Sequence, residues 1–467
     1  MPEAKEVEGN ETFDFIVGLA LRPETFPPLH LLSLKQISYL ANRISDHFTQ
    51  YPQQNVIKVG RCYKLVTGFY GLTVVGRTYN AVIAKSQARR LWRRKLQGAA
   101  DAARLNFEAK NKTVGGAELS AELYASDVTV TKAREKKIET EKYLAGQVMV
   151  NASTGERISL SKLARKAEVN RFNELYWISK NLEAIAAQRG MGWLFLTFTA
   201  PPKFHPNPLK GKCSYDPELG VRASHSFISS AWSRVRALLY KRGIKGGIDS
   251  YFGIRTAETH KDGSVHWHLL VFITSHLADM FVDTSAMQFP GYGQMKVEVG
   301  DPKIGSAASY IFKYLAKGFD PSVVGEMADS DVVLDCARED SDLASLRNGE
   351  RVRAALKAMR IRQYQTFGVK NVLSLVRAIN KLGSKELQEL EGHVPEIVRT
   401  EIWRNPTGLK YILENEFLVV KIDGEAPLML LKEAGLSAYG EEIASAVGLK
   451  IGIHTIRTKG RYEVHRV

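Results

Sequence analysis

Two histidines separated by a single residue are the first feature of this sequence that could do chemistry. His266 and His268 lie in an apolar run, Val265–Phe272, of the kind that forms a buried β-strand. Alternate residues of a strand point to the same face, so the sequence predicts both imidazoles on one side and Trp267 on the other. Taken alone, the pattern fits two histidines without a metal role at least as well, because two imidazoles need a third ligand to hold a cation usefully.

Glu258 is the candidate third ligand, and the turn between it and the histidines decides whether it can reach them. A two-residue turn at Asp262-Gly263 would place the carboxylate opposite Trp267, on the wrong face. A three-residue loop, Lys261-Asp262-Gly263, ends on the glycine that a type I turn with a following bulge prefers, and it pairs Glu258 with His266. The sequence therefore predicts this longer loop. The resulting site would suit Mg²⁺ or Mn²⁺ at a phosphate, with zinc chemically possible.

A pair of tyrosines is the second candidate. Tyr310 and Tyr314 are four residues apart in a segment that predicts a helix from Ser306 through Lys317, so both phenols would lie on one face. Lys313 and Lys317 repeat the same spacing beside them. A phenol with a pKa of about 10 is a poor nucleophile at neutral pH, but a nearby metal ion or ammonium would favour the phenolate, and a lysine could also neutralise a phosphate. By itself the pattern favours a simpler interpretation, an amphipathic helix with half-buried tyrosines and exposed lysines.

The net charge points to a polyanionic partner. The 467 residues include 65 Lys and Arg against 50 Asp and Glu, which gives +15 at pH 7. Each phosphate that such a surface neutralises releases condensed counterions.

The cysteines, Cys62, Cys213 and Cys336, form no CxxC pair, so neither a zinc knuckle nor a disulfide framework is expected. The acidic start is unlike a signal peptide and no apolar run approaches membrane-spanning length, so we expect no membrane segment and a cytoplasmic location.

A basic stretch within a helix-forming run, Ala81–Lys110, is the third candidate. It places five basic residues around one indole: Arg89, Arg90, Trp92, Arg93, Arg94 and Lys95. Such a helix could follow a phosphate backbone, with Trp92 either stacked on a base or packed inward. A solvated helix with a buried tryptophan fits the same residues equally well, and the sequence leaves both interpretations open.

The apolar pattern predicts an α+β architecture with an antiparallel sheet. Strands are expected at Trp193–Ala200, Tyr251–Glu258, Val265–Ile273 and Met295–Val299, and helices at Asn170–Gln188 and His225–Arg242. Four regions follow from this pattern. Residues 1–75 have no readable role, residues 76–190 are mainly helical and basic and would contact DNA, and residues 191–385 hold the interleaved strands and helices. Residues 386–467 would form a small separate α+β unit, with strands at Phe417–Ile422 and Leu449–Ile456.

Taken together, these motifs resemble the bacteriophage replication gene A protein family, rolling-circle initiators of the HUH endonuclease superfamily. The resemblance is carried by five segments in order: Arg90–Leu96, Phe195–Pro201, Arg255–Phe272, Tyr310–Lys317 and Ile361–Gly368. It implies a central antiparallel sheet flanked by helices, with the His-Trp-His strand near its centre and the tyrosine helix alongside. Residues 191–385 would be the HUH endonuclease domain, preceded by the mainly helical region and followed by the small α+β tail.

The resemblance also implies a function. His266, His268 and Glu258 would bind the divalent cation, Mg²⁺ or Mn²⁺, that polarises the scissile phosphate. Tyr310 or Tyr314 would attack it, leaving a 5′-phosphotyrosine link and a free 3′-OH. The stored bond would later be used to religate the displaced strand, and the second tyrosine would cut the regenerated origin while the first holds the old end. The implied partners are single-stranded or supercoiled origin DNA together with the replicative helicase and polymerase of a bacterial host, in whose cytoplasm the protein would act.

Two departures and two alternatives accompany the resemblance. Family members often have two histidines before the Asp-Gly pair, where this chain has His260-Lys261, and an Asn commonly follows the last lysine, where this chain has Gly318. Neither change touches a proposed ligand or nucleophile. A relaxase or transposase of the same superfamily would share the chemistry, although paired tyrosines argue against a single-tyrosine transposase. An origin-binding factor without catalysis would need neither the ligands nor the tyrosines.

Overall fold

The structure, a computed structural model, describes most of the chain. The described residues are 28–66, 70, 72–117, 122–151, 155–209, 211–300, 306–316, 318–319, 343–369, 372–379, 381–393, 428–458 and 462–466. The helices are α1 (Leu34–Gln50), α2 (Tyr79–Ser86), α3 (Arg89–Lys110), α4 (Asp127–Ala145), α5 (Leu160–Gln188), α6 (Ala223–Lys241), α7 (Ala278–Ala286), α8 (Ala307–Ala316), α9 (Leu343–Ala358), α10 (Val372–Ile379) and α11 (Ser384–His393). The strands are β1 (Val56–Val59), β2 (Cys62–Val66), β3 (Thr73–Gly76), β4 (Gln147–Asn151), β5 (Arg157–Ser159), β6 (Gly192–Thr199), β7 (Tyr251–Thr259), β8 (Val265–Ile273), β9 (Met295–Val299), β10 (Tyr364–Phe367), β11 (Met429–Leu436), β12 (Glu442–Ile451), β13 (His454–Arg457) and β14 (Tyr462–Arg466).

A five-stranded antiparallel sheet positions the candidate residues. Its strand order is β10-β7-β8-β6-β9, and every neighbouring pair is antiparallel. The strand that carries both histidines, β8, is the middle strand, as the resemblance implied. The predicted bounds of β8 and β9 are confirmed, and those of β6 and β7 differ from the prediction by one residue. The expected α+β class with an antiparallel sheet is therefore confirmed.

Helices cover both faces of this sheet because its central strands are apolar on both sides. On one face, the side chains of Phe252, Leu270 and Phe272 pack against α5 and α8 in the main hydrophobic core. The opposite face packs against α6 and α7, where Trp232 contacts Phe198 of β6 and Phe281 of α7. A sheet buried on both faces holds its register strongly, because a slip by one residue would exchange the two faces.

The turn between β7 and β8 is the three-residue loop that the sequence predicts. The His260 N–H donates to the Ser264 carbonyl at 2.7 Å, and the Gly263 N–H donates to the His260 carbonyl at 2.9 Å. Gly263 has φ +82°, the left-handed conformation that glycine adopts without strain. Counting outward from this loop pairs Glu258 with His266 across the hairpin. The prediction of loop length and register is confirmed.

Three elements differ from the sequence prediction by more than two residues. The run Ala81–Lys110 is divided between α2 and α3, because the helix is interrupted at Gln87-Ala88. The helix expected from Asn170 begins ten residues earlier, at Leu160 in α5. The strand expected at Leu449–Ile456 is a hairpin of β12 and β13, turning at Gly452 with φ +55°. The expected strand Phe417–Ile422 lies outside the described residues.

The described residues fall into two compact units. Those up to Glu108, together with Glu433–Ser445, form one unit, and those of Ala109–Lys432, together with the chain from Ala446 onward, form the other. The tail is less separate than expected, because β14 pairs with β4 in a sheet that belongs to the second unit. Hydrogen bonding across the β14–β4 pair thus links the end of the chain to the region predicted to be mainly helical. Among the described residues, no helix is long and apolar enough to cross a membrane.

We predict that Gly263→Ala lowers the free energy of unfolding by about 1–2 kcal/mol, because an L side chain is strained at this φ although space for a Cβ exists. Urea unfolding monitored by circular dichroism would measure it. Gly392→Ala is the matched control: it lies in α11 with open space around it, so alanine should stabilise the helix by about 0.5–1 kcal/mol. Equal effects of the two substitutions would contradict the assignment of strain to the turn.

Candidate active site

Glu258, His266 and His268 converge at one end of the β7–β8 hairpin. The two histidine Nε2 atoms are 2.9 Å apart. The Glu258 Oε2 atom lies 3.5 Å from the Nε2 atom of His268 and 3.9 Å from that of His266. The three side chains are about nine-tenths buried, with 8–12% exposure. The structure therefore brings together the three ligands that the sequence predicts; we call them the metal triad.

The donor atoms of the metal triad fit a divalent cation. One ligand atom from each side chain lies within 4.8 Å of the other two. Ligands at right angles on an ion with bonds of about 2.1 Å are about 3 Å apart, which is close to the separations here. Two imidazoles and one carboxylate are a donor set that Mg²⁺, Mn²⁺ or Zn²⁺ accepts.

Thr197 of β6 orients one of these imidazoles. Its Oγ1 atom lies 3.0 Å from the Nδ1 atom of His268, which it faces across the β6–β8 pair. When Nδ1 carries the proton and donates to this hydroxyl, the Nε2 lone pair points into the metal triad, as metal ligation requires. Thr256 flanks His268 from the other side, on β7, and its buried hydroxyl has no hydrogen-bond partner among the described residues.

The turn beside the metal triad contains a buried polar cluster. His205 places its Nδ1 atom 2.9 Å from Asp262 Oδ2 and 2.9 Å from Ser264 Oγ, while its Nε2 atom lies 3.1 Å from the Ala200 carbonyl. Burial opposes the charged imidazole, but the hydrogen bond and ion pair with Asp262 outweigh it and raise the pKa of His205. These contacts fix the loop on which the hairpin register depends.

His260 connects this cluster to the metal triad. Its ring lies against the ring of His266, with centroids 4.0 Å apart, and it also contacts His205. Burial lowers the pKa of His260 to about 4, so the imidazole is neutral at pH 7 and adds no positive charge beside a cation. His260 therefore has a packing role beside the metal triad. It is the first of the two positions before Asp-Gly, and Lys261 is the second.

The tyrosine helix α8 is anchored at its N-terminus by α5. Glu183 accepts hydrogen bonds from the Ala307 N–H at 2.6 Å and from the Ser306 hydroxyl at 2.7 Å. The same hydroxyl accepts from the Ser309 N–H, which gives the predicted Ser306 cap. A carboxylate at this end is favoured by the helix dipole. Ile311 is fully buried on the inner face of α8. The tyrosines therefore lie on the side of the sheet that carries the metal triad.

The two tyrosines occupy different environments. The Tyr314 ring lies on the imidazole of His268, with centroids 4.0 Å apart, and packs on Phe195 from the same side. The phenol of Tyr310 instead donates to Glu298 Oε2 of β9 at 2.8 Å. The ring of Tyr314 is therefore in contact with a residue of the metal triad, and the hydroxyl of Tyr310 is bound to β9.

The surroundings of Tyr314 disfavour the phenolate form of its side chain. Burial raises the pKa of Tyr314 above its usual value, and the negative charges that Tyr310, Glu258 and Glu298 can carry raise it further. The phenol is then protonated at neutral pH and a poor nucleophile. A cation on the metal triad would offset these negative charges and favour the phenolate.

The expected roles of the two lysines stay predictions. Lys313 belongs to α8, but its side chain lies outside the described residues, as does the whole of Lys317. Neither can be placed relative to the metal triad from the described contacts.

The basic helix corrects one prediction. Trp92 is fully buried, stacks on Phe48 and donates its indole N–H to the Ser86 carbonyl at 2.6 Å. Its ring therefore packs inward and has no face to offer a base, so Trp92 as a nucleic-acid contact is wrong. The basic residues of this stretch are exposed or half-exposed: Arg89, Arg90, Arg93, Arg94 and Lys95. Arg89 pairs with Asp46, and phosphate contact by these side chains stays a prediction.

Sequence reasoning missed three residues of the site. Thr197, Glu298 and His205 come from different elements, and their roles depend on how those elements pair. Only Thr197 could have been found from the sequence. It lies two residues from Phe195 on the strand of the first motif, so the two side chains share a face. Glu298 and His205 lie in segments whose placement the sequence did not predict.

We predict that Thr197→Val weakens binding of Mn²⁺ at least ten-fold, because His268 loses the partner that orients its Nε2 atom. Isothermal titration calorimetry of the whole chain measures this affinity. Thr256→Val makes the same chemical change on the other side of His268, where the hydroxyl has no partner among the described residues, so the affinity should not change. Equal affinities in the two variants would contradict an orienting role for Thr197.

Known proteins match the part of the chain that carries this geometry. The model of the bacteriophage replication gene A protein family matches residues 76–322. The replication protein of Haemophilus phage HP1 is 31% identical over 270 residues, which cover 54% of this chain and 32% of that protein. A probable replication protein of Pseudoalteromonas phage PM2 is 26% identical over 381 residues, covering 79% and 56%.

A probable replication endonuclease from a prophage-like region of Escherichia coli is 27% identical over 267 residues, covering 53% of this chain and 30% of that protein. The chain thus matches between 30% and 56% of the length of these relatives. No solved structure matches it. The family match includes β6, the metal triad and the tyrosine helix, so the chain belongs to the bacteriophage replication gene A protein family.

Proposed function

We propose that this protein is a metal-dependent DNA nicking and joining enzyme that initiates rolling-circle replication. The observation that carries the proposal is the packing of Tyr314 against His268, beside Glu258 and His266. A tyrosine nucleophile next to a cation site is the arrangement that phosphodiester transesterification requires.

Three further observations support the proposal. The family is named for phage replication, and one relative is named a probable replication endonuclease. The net charge of +15 suits a DNA substrate. Tyr310 and Tyr314 also supply two nucleophiles, so that one could hold the first 5′-phosphate while the other makes a second cleavage.

Glu258, His266 and His268 would hold the cation. When bound, Mg²⁺ or Mn²⁺ supplies Lewis-acid polarisation of the scissile phosphate and charge neutralisation near the attacking oxygen. Thr197 orients His268 for this task, and the apolar packing of Phe195 around Tyr314 limits water near the nucleophile.

The chemical step exchanges one phosphodiester for another. The tyrosine phenol loses its proton, and its oxygen forms a bond to phosphorus while the bond from phosphorus to the 3′-oxygen breaks. The 3′-oxygen takes up a proton and leaves as a 3′-OH, and the 5′-phosphate stays on the tyrosine. Because the bond energy is retained in the phosphotyrosine, a later 3′-OH can reverse the step and reseal a strand.

The environments of the two phenols favour Tyr314 as the first nucleophile. Its ring contacts the metal triad, whereas the hydroxyl of Tyr310 donates to Glu298. Tyr310 would then act in the second cleavage, after its hydrogen bond with Glu298 is released. Lys313 and Lys317 would neutralise phosphate charge, and the exposed basic residues of α3 would contact the backbone of the DNA.

The partners follow from this function. They are a single-stranded or supercoiled origin, a host helicase to unwind the nicked strand and a host polymerase to extend the 3′-OH. The cytoplasm of a bacterial host is the expected location.

We predict that Tyr314→Phe abolishes the first covalent protein–DNA adduct, lowering its rate of formation about a thousand-fold or more, while Tyr310→Phe retains it. The assay uses a labelled random-sequence single-stranded DNA pool with Mg²⁺ and reads label that stays with the protein after denaturation. Tyr143→Phe, an exposed tyrosine of α4, is the control and should behave as the parent.

Glu258→Gln or removal of the metal with EDTA should suppress the adduct in every variant, because the metal triad loses either its carboxylate or its cation. An adduct that forms at the parent rate in EDTA would exclude a metal role. An adduct that persists in a Tyr310→Phe/Tyr314→Phe double variant would exclude tyrosine chemistry.

A further inference from the structure

A cavity lies on the face of the sheet opposite the metal triad. It has a volume of about 420 Å³, enough for a nucleotide, and lies between α6, β7 and β10. Arg255 and Trp267 line it; they alternate along β7 and β8 with Glu258 and His266, which face the other way. We call this space the far-face pocket.

The lining of the far-face pocket is cationic and contains no carboxylate. Arg236, Lys245 and Arg255 contribute positive charge, and Ser229 and Ser233 contribute hydroxyl groups. Among the described residues, no carboxylate lies within ion-pair distance of the three cationic side chains. A concave surface with one sign of charge concentrates ions of the opposite sign.

Arg255 gives the strongest support for an anionic ligand in the far-face pocket, because it is buried. Its side chain is 7% exposed; it donates to the Arg362 carbonyl and to Gln365 Oε1, both at 3.0 Å, and stacks on Trp267 at 4.0 Å. Burial, together with the nearby positive charges of Arg362 and Arg236, lowers the pKa of Arg255 to about 10. A buried cation surrounded by other cations is costly unless an anion joins it.

The rim of the pocket offers a surface for a base. Tyr240, at the end of α6, lines the pocket and is 66% exposed. A positively charged groove beside an exposed aromatic ring is the combination that binds single-stranded nucleic acid without sequence preference.

We propose that the far-face pocket binds one nucleotide of a DNA strand, with its phosphate near Arg236 and Arg255 and its base on Tyr240. The pocket is separate from the cleavage site and would hold a strand away from the metal triad. Naming DNA as the occupant rests on the proposed function, whereas the preference for a phosphate rests on the lining alone.

The test measures DNA binding without cleavage. The probe is a fluorescent twelve-nucleotide oligothymidylate, titrated with the whole chain in EDTA over a range of salt concentrations and followed by anisotropy. Arg255 is buried and its replacement risks misfolding, so the exposed residue Arg236 carries the test. We expect Arg236→Gln to reduce the slope of log affinity against log salt by about 0.7, the value for one lost phosphate contact on single strands.

Arg234→Gln is the matched control. It removes the same charge from the same helix, but Arg234 bonds to Gln288 and does not line the pocket, so the slope should stay at the parent value. Tyr240→Ala should weaken binding about five- to one-hundred-fold through loss of stacking, and Tyr143→Ala should not weaken it.

Three results would overturn the proposal: the same slope in Arg236→Gln and the parent, equal slopes in Arg236→Gln and Arg234→Gln, or no loss in Tyr240→Ala. Thymidine monophosphate and inorganic phosphate serve as separate probes by tryptophan fluorescence. Binding of these small anions in the parent, with oligonucleotide binding unaffected by Arg236→Gln, would assign the pocket to a small phosphate compound instead. Since the measurement is made in EDTA, its outcome is independent of whether the protein forms a covalent adduct in Mg²⁺.

Discussion

The pairing of Glu258 with His266 across the β7–β8 hairpin is the constraint on which the site depends. Side chains of a strand alternate between two faces, so a turn one residue shorter would move the carboxylate to the far side of the sheet. The left-handed Gly263 and the ion pair between Asp262 and His205 hold the loop at its length. The geometry of the metal triad therefore depends on the turn that sets the register of the hairpin.

The negative charge of the metal triad links the hairpin to the tyrosine helix. Burial raises the pKa of Tyr314, and the negative charges that Tyr310, Glu258 and Glu298 can carry raise it further. The hydroxyl of Tyr310 donates to Glu298. The phenol of Tyr314 is thus protonated at neutral pH and a poor nucleophile. Under the proposed function, this arrangement would make the chemistry conditional on a bound metal ion. On the far face, the cationic lining has the opposite sign, and the two sides of one sheet would bind different parts of a strand.

The parts of this structure that follow from local rules could be predicted from the sequence. The apolar run Val265–Phe272 predicted β8, and turn chemistry predicted the loop at Gly263. Residues whose role depends on tertiary pairing could not be predicted, such as Glu298 on a neighbouring strand. Trp92 shows the limit of composition, because five basic neighbours suggested a DNA contact while its indole fills the core against Phe48. Burial of that ring depends on α1, which no pattern near Trp92 reports.

The most direct test of the central claim is to identify the atom that carries the DNA. The whole chain is incubated with single-stranded DNA and Mg²⁺, digested with protease and nuclease, and the peptide spanning α8 is sequenced by mass spectrometry. The account predicts a nucleotide joined through its 5′-phosphate to the phenolic oxygen of Tyr314, and a released strand that a polymerase extends from its 3′-OH. A nucleotide attached to a residue outside α8, or attached through a 3′-phosphate, would contradict it.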